Sequence, residues 1–192
     1  MLYAGKWKVT FNAPVVLGFT IFCFLALVLN WMTKGETNLL LFSTYRSSIV
    51  NPMTYLRMFT HVLGHANWEH FIGNMTLFLV IGPMLEEKYG SQKLLSVILV
   101  TAFVTGIANT LLFPNTRLLG ASGIVFAMIL MSSMTSMREG EIPLTFILVA
   151  VIYLGEQIYA GIFVRDNVSN LTHILGGIVG AVMGYSLGKK NI

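Results

Sequence analysis

Charged residues are scarce in this sequence. Only 10% of its 192 residues are Asp, Glu, Lys or Arg, and 55% are apolar. A soluble globular domain carries about 25% charged residues, so this composition cannot cover a surface that faces water. Because several apolar stretches approach the length that crosses about 30 Å of hydrocarbon, the sequence predicts an integral membrane protein.

Cysteine is almost absent as well. The chain has one cysteine, Cys23, in the first apolar run, so an internal disulfide is excluded. No CxxC or Cys/His metal spacing exists, and we interpret Cys23 as a small core residue. His61, His65 and His70 could indicate a metal site, but no acidic or Cys ligand lies at a matching spacing. We therefore expect neither a metal nor another cofactor.

The net charge is modestly positive, at +4. The Lys and Arg residues lie between apolar runs, where membrane topology and contact with anionic lipid explain them better than nucleic acid does. We expect the lipid bilayer as a partner and no nucleic acid. A mild charge bias predicts that both termini lie in the cytoplasm, and we expect the protein in the cell's inner (plasma) membrane. The segments that would then be cytoplasmic hold Lys6, Lys8, Lys88, Lys93, Arg138, Lys189 and Lys190, and the outer segments hold Lys34, Arg46, Arg57, Arg117 and Arg165.

Six apolar stretches are candidates for membrane spans, by the rule of roughly 17–25 residues per span. Several are short or interrupted by glycine and polar residues. The predicted fold is an all-α membrane protein, a bundle of six transmembrane helices that forms one domain over residues 1–192. The spans are predicted near residues 13–32, 70–85, 94–113, 118–137, 142–164 and 171–187.

The segments at the start of the chain have two further features. The first span follows two lysines, but its apolar run is too long for a secretory signal and no small-x-small cleavage site follows. We expect a retained anchor, and short termini without a soluble regulatory domain. The first connection, residues 33–69, is long and mixes apolar and basic residues, so we expect it to lie in the membrane interface.

Polar groups within apolar spans are costly and need a partner or a function. His70 and Asn74 are four residues apart, so on a helix they share one face. Both side chains can donate a hydrogen bond to a single oxygen, as an oxyanion site requires. The alternative is a pair of polar residues that bond neighbouring helices together.

A second polar position is Ser122, between Gly120 and Gly123. The glycines allow close approach of the backbone and an exposed hydroxyl. The serine also lies near a predicted helix N-terminus, where free N–H groups favour a developing negative charge. The alternative is a small-residue contact between membrane helices.

A third polar position is His173, which precedes a stripe of glycines at Gly176, Gly180 and Gly184. Such a stripe lets another helix pack very close. A histidine at its head could take the proton of a serine on the facing helix and return it to the leaving amine. The alternative is a histidine that only bonds two helices. No Asp or Glu in the spans is an obvious third member, so we predict a dyad rather than a triad.

These motifs together resemble the rhomboid intramembrane serine proteases, in particular their bacterial six-span form. The resemblance covers nearly the whole chain and follows the family's order: H-x-x-x-x-H-x-x-x-N from His65, an E-x-x-x-G turn from Glu86, G-x-S-G around Ser122, and H-x-x-G-x-x-x-G from His173. It implies that Ser122 is the nucleophile and His173 the general base. His70, Asn74 and the backbone N–H of Ser122 would form the oxyanion hole.

The resemblance also implies supporting roles. Arg57 matches the arginine of the family's first-loop W-R pair, and Glu86 matches the glutamate that holds the cytoplasmic end. The remaining supporting positions are His65, Gly120, Gly123, Phe126, Gly176 and Gly180, of which the last two would let the sixth helix approach the fourth.

Two positions depart from the family pattern. The W-R pair is Leu56–Arg57 here, so the packing of the tryptophan is absent. Phe126 stands where the family often has a tyrosine stacked on the catalytic histidine. A phenyl ring can still pack on an imidazole but has no hydroxyl to bond, so the departure affects fine positioning.

The resemblance implies an intramembrane endopeptidase whose partners are membrane proteins with a helix that can unwind. Water would reach the site through a polar cavity open to the outside, and His65 is expected either to line that entrance or to be an interfacial histidine. Two other classes stay open. One is an inactive rhomboid relative that binds membrane helices. The other is a small transporter or channel that uses His and Asn as a polar path.

Overall fold

The computed structural model describes residues 9–135, 141–163 and 167–189. Within these ranges the elements are helical, and the one extended pairing is an isolated antiparallel bridge between Thr44 and Leu118. The all-helical prediction is therefore confirmed. The elements are α1 (Pro14–Met32), α2 (Glu36–Leu40), α3 (Pro52–Thr60), a 3-10 helix (His61–Leu63), α4 (Trp68–Tyr89), α5 (Ser91–Leu112), α6 (Ser122–Ser133), α7 (Leu144–Phe163) and α8 (Asn167–Lys189).

Three helical segments in the described ranges are long and apolar enough to cross a membrane. They are Pro14–Met32, Ser91–Leu112 and Asn170–Gly188. Two further apolar stretches, Ser122–Ser133 and Leu144–Tyr153, are shorter. The count of six spans therefore stays a prediction. The predicted cytoplasmic or outer residues Lys6, Lys8, Arg138, Arg165 and Lys190 lie outside the described residues.

The helix boundaries differ from the predicted spans where local bonding decides them. The fourth span was expected from residue 118, but α6 begins at Ser122. Leu118 instead exchanges two backbone hydrogen bonds of 2.9 Å with Thr44, and Gly120 has φ +125°, which a helix does not allow. The second span was expected from residue 70, but the Asn67 side chain accepts from the His70 N–H at 2.8 Å and starts α4 at Trp68. α7 begins at Leu144, after Pro143, and the predicted ends at 137 and 164 lie outside the described residues.

One end of the bundle is held by Glu86, a buried carboxylate near the end of α4. Its two oxygens accept hydrogen bonds from the backbone N–H groups of Val15 and Val16, each at 3.0 Å. Ser91 at the start of α5 donates to the same carboxylate at 2.7 Å. The first N–H groups of a helix have no partner within it, and a negative charge is favourable there. Glu86 thus joins α1, α4 and α5 at this end.

The first connection is ordered around Arg57, which is only 4% exposed. Its guanidinium donates to the Tyr45 hydroxyl at 3.0 Å and to Ser47 Oγ at 2.7 Å, and it lies 4.3 Å above the Tyr45 ring. On the outer side of α3, Leu56 is about half exposed. Where the family pattern has a tryptophan, this chain therefore has an aliphatic side chain that is about half exposed.

α6 lies in the centre of the bundle and contacts α4, α5, α7 and α8. From Ala121 to Met131 every residue is buried except Ser122 and Phe126. These two are one helical turn apart and therefore share a face. The one face of α6 that is not fully covered is the face that begins with Ser122.

Candidate functional site

The chain makes a sharp turn immediately before Ser122. Gly120 takes a positive φ of +125°, which glycine adopts without steric cost. Its N–H donates to the carbonyl of His61 at 2.9 Å. Two residues later the chain enters α6, so Ser122 occupies the first helical position. Its N–H is one of the groups that the helix itself leaves without an acceptor.

α8 approaches α6 more closely than any side chain at the contact would permit. A Cβ built on Gly176 would lie 2.1 Å from the carbonyl oxygen of Gly123, and one on Gly180 would lie 2.0 Å from that of Ala127. Both are far inside van der Waals contact. His173 lies one turn before Gly176 on α8, and Ser122 directly precedes Gly123 on α6. The serine and the histidine are therefore at the same level of the two helices.

The ring of His173 lies flat on Phe126. Their centroids are 4.4 Å apart and the planes are inclined by 12°. Phe126 is one turn beyond Ser122, so the imidazole lies over the turn of α6 that begins with the serine. Aromatic pairs of this kind contribute roughly 0.5–1.5 kcal/mol beyond their burial. The phenylalanine thus retains the ring contact, without a hydroxyl.

His70 and Asn74 flank the turn from the side of α4. A Cβ on Gly120 would lie 2.7 Å and 2.8 Å from Cε1 and Nε2 of His70, and 3.8 Å from Nδ2 of Asn74. The two side chains therefore occupy the space beside the Gly120 backbone, two residues before Ser122. Any side chain at position 120 would displace them.

The hydrogen bonds of these residues indicate which atoms can donate. The Ala66 N–H donates to Nδ1 of His70 in a long contact of 3.5 Å. A neutral imidazole whose Nδ1 accepts carries its proton on Nε2, the atom that faces Gly120. Nδ2 of Asn74 is buried and has no hydrogen-bond partner among the described residues. Two donors therefore lie beside the Gly120 backbone, two residues before Ser122.

The ring of His65 packs against the ring of His70. Its side chain is buried, with ring centroids 5.1 Å from His70 and 5.4 Å from Phe71. Its Nδ1 faces the Leu63 carbonyl at 3.2 Å, and its own carbonyl accepts from Asn38 Nδ2 at 3.0 Å. Burial, together with the nearby His70, lowers the pKa of His65 to about 4. At neutral pH it is an uncharged packing partner.

The role of His61 was not predicted from the sequence. The structure buries this side chain, with Nδ1 3.2 Å from the Arg57 carbonyl and Nε2 3.3 Å from Thr105 Oγ1. Burial lowers the pKa of His61 to about 4. Its carbonyl is the acceptor that fixes Gly120. The four-residue spacing between Arg57 and His61 was the one signal for this role in the sequence. Through its hydrogen bonds, His61 connects the first loop to the turn before Ser122.

Acidification from pH 7 to pH 5 is expected to destabilise the fold. His61 is neutral when buried, because its pKa is lowered from 6.5 to about 4. Between these values the unfolded chain binds more protons, so stability is complete above about pH 6.5 and is lost as pH falls towards 4. For His61 we expect a loss on the order of 2 kcal/mol at pH 5, measured by thermal melting in detergent. His61→Asn should reduce this dependence but not abolish it, because the lowered pKa of His65 acts in the same direction; an unchanged slope in that variant would contradict the assignment.

The predicted site residues fall into three regions. Ser122, His173, His70 and Asn74 come together at one end of α6, with Gly120, Gly123, Phe126, Gly176, Gly180 and His65 around them. Arg57 lies in the first loop, and Glu86 lies near the other end of α4. Within the described ranges, no group of three or more His, Cys, Asp or Glu side chains is arranged to hold a metal ion.

Comparison with known proteins shows similarity to rhomboid proteins. The model of the Rhomboid domain matches residues 52–190. Rhomboid-related protein 2 of Mus musculus is 30% identical over 158 residues, which cover 71% of this chain and 52% of that protein. Rhomboid protease GlpG of Serratia proteamaculans is 25% identical over 178 residues, covering 90% and 62%. The same-named protein of Haemophilus influenzae is 26% identical over 132 residues, covering 67% and 68%.

The chain spans about half to two thirds of the length of these relatives. The family model nevertheless covers more than half of the chain itself, and three of the helices are apolar enough to cross a bilayer. The chain is therefore an integral membrane protein that belongs to the rhomboid family.

Proposed function

We propose that this protein is an intramembrane serine endopeptidase that cuts transmembrane segments of other membrane proteins with a dyad of Ser122 and His173. The observation that carries the proposal is the stack of His173 on Phe126, one turn beyond Ser122. The glycine contact between α6 and α8 supports it, because Gly176 meets Gly123 beside the serine. Two of the similar proteins named above are rhomboid proteases.

The proposed reaction is acyl transfer. Ser122 Oγ attacks the carbonyl carbon of a peptide bond while His173 takes its proton. The tetrahedral intermediate then breaks the C–N bond, and the imidazolium gives the proton to the leaving amine. A water molecule, deprotonated by the same histidine, attacks the acyl carbon. The bond between that carbon and Ser122 Oγ breaks, the imidazolium returns its proton to Oγ, and the carboxyl product leaves.

The negative oxygen of the tetrahedral intermediate requires donors that are already aimed at it. Three candidates lie around the turn: Nε2–H of His70, the amide of Asn74 and the backbone N–H of Ser122. The buried Asn74 Nδ2, which has no other partner in the described part of the chain, supports this role. Gly120 leaves the space in which His70 lies.

The proposed arrangement in the membrane follows from the residues at the two ends of α4. His70 lies in its first turn and Glu86 near its last turn, so the Glu86 end and the Ser122 end are opposite. With six spans and both termini in the cytoplasm, the Glu86 end faces the cytoplasm and the site opens to the outside of the inner membrane. The substrate would be a membrane helix that unwinds locally to present an extended peptide bond.

Removing the Asn74 donor is expected to lower kcat. Asn74→Leu keeps a similar shape without the amide, and loss of one oxyanion donor costs about 10²–10³-fold in kcat with a smaller change in KM. The measurement is steady-state cleavage of a tagged single-span substrate in detergent. Gly73→Ala is the matched control, because a Cβ at this neighbouring position meets nothing within 4 Å. A kcat within twofold of wild type in Asn74→Leu would remove Asn74 from the proposed oxyanion hole.

The experiment that tests the proposed function is covalent labelling of the purified protein with a fluorophosphonate. This probe reacts with activated serines, and mass spectrometry locates the modified residue. We expect one modification, at Ser122, and cleavage of a single-span substrate that is blocked by it. Folded protein that resists the probe and cuts none of several substrates would instead be a helix-binding relative without protease activity.

A further inference from the structure

The aromatic contact on His173 continues to a third helix. Tyr153 of α7 lies against Phe126 of α6, with ring centroids 5.6 Å apart and planes inclined by 82°. Phe126 in turn stacks on His173 of α8 at 4.4 Å and 12°. Three rings from three helices therefore form a continuous series that ends on the imidazole. The sequence alone gave no reason to connect Tyr153 with the site.

The stack on Phe126 can fix the His173 imidazole only if Phe126 is itself held in place. Phe126 is one of the two partly exposed residues on an otherwise buried stretch of α6, and its phenyl ring has no polar atom to anchor it. The edge-on contact with Tyr153 is a favoured aromatic geometry. It restricts the rotation of Phe126 and therefore of the surface on which His173 lies.

We propose that Tyr153 is a positioning residue, which holds Phe126 flat against His173 and so keeps the imidazole in line with Ser122. The inference rests on the proposed function, since it concerns the efficiency of the same dyad. The ring of Tyr153 carries the effect and its hydroxyl does not, because the contact with Phe126 is between rings. Tyr153 acts through Phe126, so its effect vanishes when Phe126 has already been replaced.

The test measures the second-order rate constant for fluorophosphonate labelling of Ser122 in the full chain in detergent. This small probe reports on the dyad without requiring a substrate helix to enter. Tyr153→Leu is expected to slow labelling roughly two- to tenfold, the scale of one lost aromatic contact. Tyr153→Phe restores the rate. In a Phe126→Leu background, Tyr153→Leu has no further effect, because residues that act as one unit are not additive.

The matched control is Phe146→Leu. Phe146 lies on α7 seven residues before Tyr153, on the same face, and is also half-buried against the core. The Phe146→Leu variant shows how much the general packing of α7 contributes to the labelling rate. Tyr153→Met, which keeps more of the side-chain volume, is a second variant with the same expected slowing, and melting temperatures show that each variant is folded.

The outcomes distinguish failure of the positioning role of Tyr153 from failure of the proposed protease function. The positioning role is overturned if Tyr153→Leu and Tyr153→Met label at the wild-type rate, if Phe146→Leu slows labelling equally, or if the effect persists in full on Phe126→Leu. It is supported if Tyr153→Phe labels at the wild-type rate while Tyr153→Leu and Tyr153→Met label more slowly. Absence of labelling in the wild type would overturn the proposed function and this inference with it.

Discussion

Gly176→Val is expected to lower cleavage at least about a hundredfold while the protein still inserts into the membrane. The first side-chain carbon at this position would lie 2.1 Å from the Gly123 carbonyl oxygen and 3.0 Å from its Cα. These are backbone atoms, so no rotamer change relieves the clash, and α8 has to move away from α6. A shift of about 1 Å between catalytic groups costs about 10²-fold. Insertion depends on apolar length, which valine does not reduce.

The measurement combines cleavage with membrane extraction and thermal melting. Gly18→Ala is the control for a glycine in a membrane helix, because a Cβ on Gly18 of α1 meets nothing within 4 Å. Gly184→Ala tests whether the effect weakens where the two helices are farther apart, since a Cβ on Gly184 would lie 3.3 Å from its nearest atom, Met131 Cα. We expect Gly18→Ala to retain activity and Gly184→Ala to be affected far less than Gly176→Val. Full activity in Gly176→Val would mean that the helices do not meet at Gly176.

The same stripe illustrates what the sequence can predict. Glycines at four-residue spacing indicate a close helix contact, and the structure has α8 against α6 at Gly176 and Gly180. His70 and Asn74 share a face for a similar reason, because helical spacing is a local property. Length and apolarity likewise predicted α1 and α5. These predictions needed only the residues of one helix.

The features that the sequence did not predict depend on contacts between segments that are distant in sequence. Leu118 was expected to be helical, and its pairing with Thr44 has no local signal. The interfacial location of the first connection stays a prediction, whereas α2, α3, the 3-10 helix and the burial of Arg57 within it were not predicted. His61 and Tyr153 were missed for the same reason. Each contributes through a neighbour on another element, Gly120 in one case and Phe126 in the other.

Ser122→Ala and His173→Ala are each expected to abolish cleavage and fluorophosphonate labelling. In the proposed mechanism the serine supplies the nucleophile that attacks the peptide bond, and the histidine is the only group that moves its proton. When such residues act as a unit, loss of either costs about as much as loss of both, on the order of 10⁴–10⁶ in kcat. The double variant should therefore be no less active than either single one. Additive losses would mean that the two side chains work independently.

The control for the serine is Ser132→Ala, near the other end of α6, where the hydroxyl donates to the Ile129 carbonyl at 2.8 Å. It makes the same chemical change in the same helix, away from His173, and is expected to retain activity. His173→Ala also removes the ring from Phe126, so melting temperatures must show that the fold persists. A transporter that used His70 and His173 as a polar path would keep its flux in Ser122→Ala. Cleavage that survives in folded Ser122→Ala would exclude the dyad, because no mechanism that begins with attack by Ser122 Oγ can proceed without that oxygen.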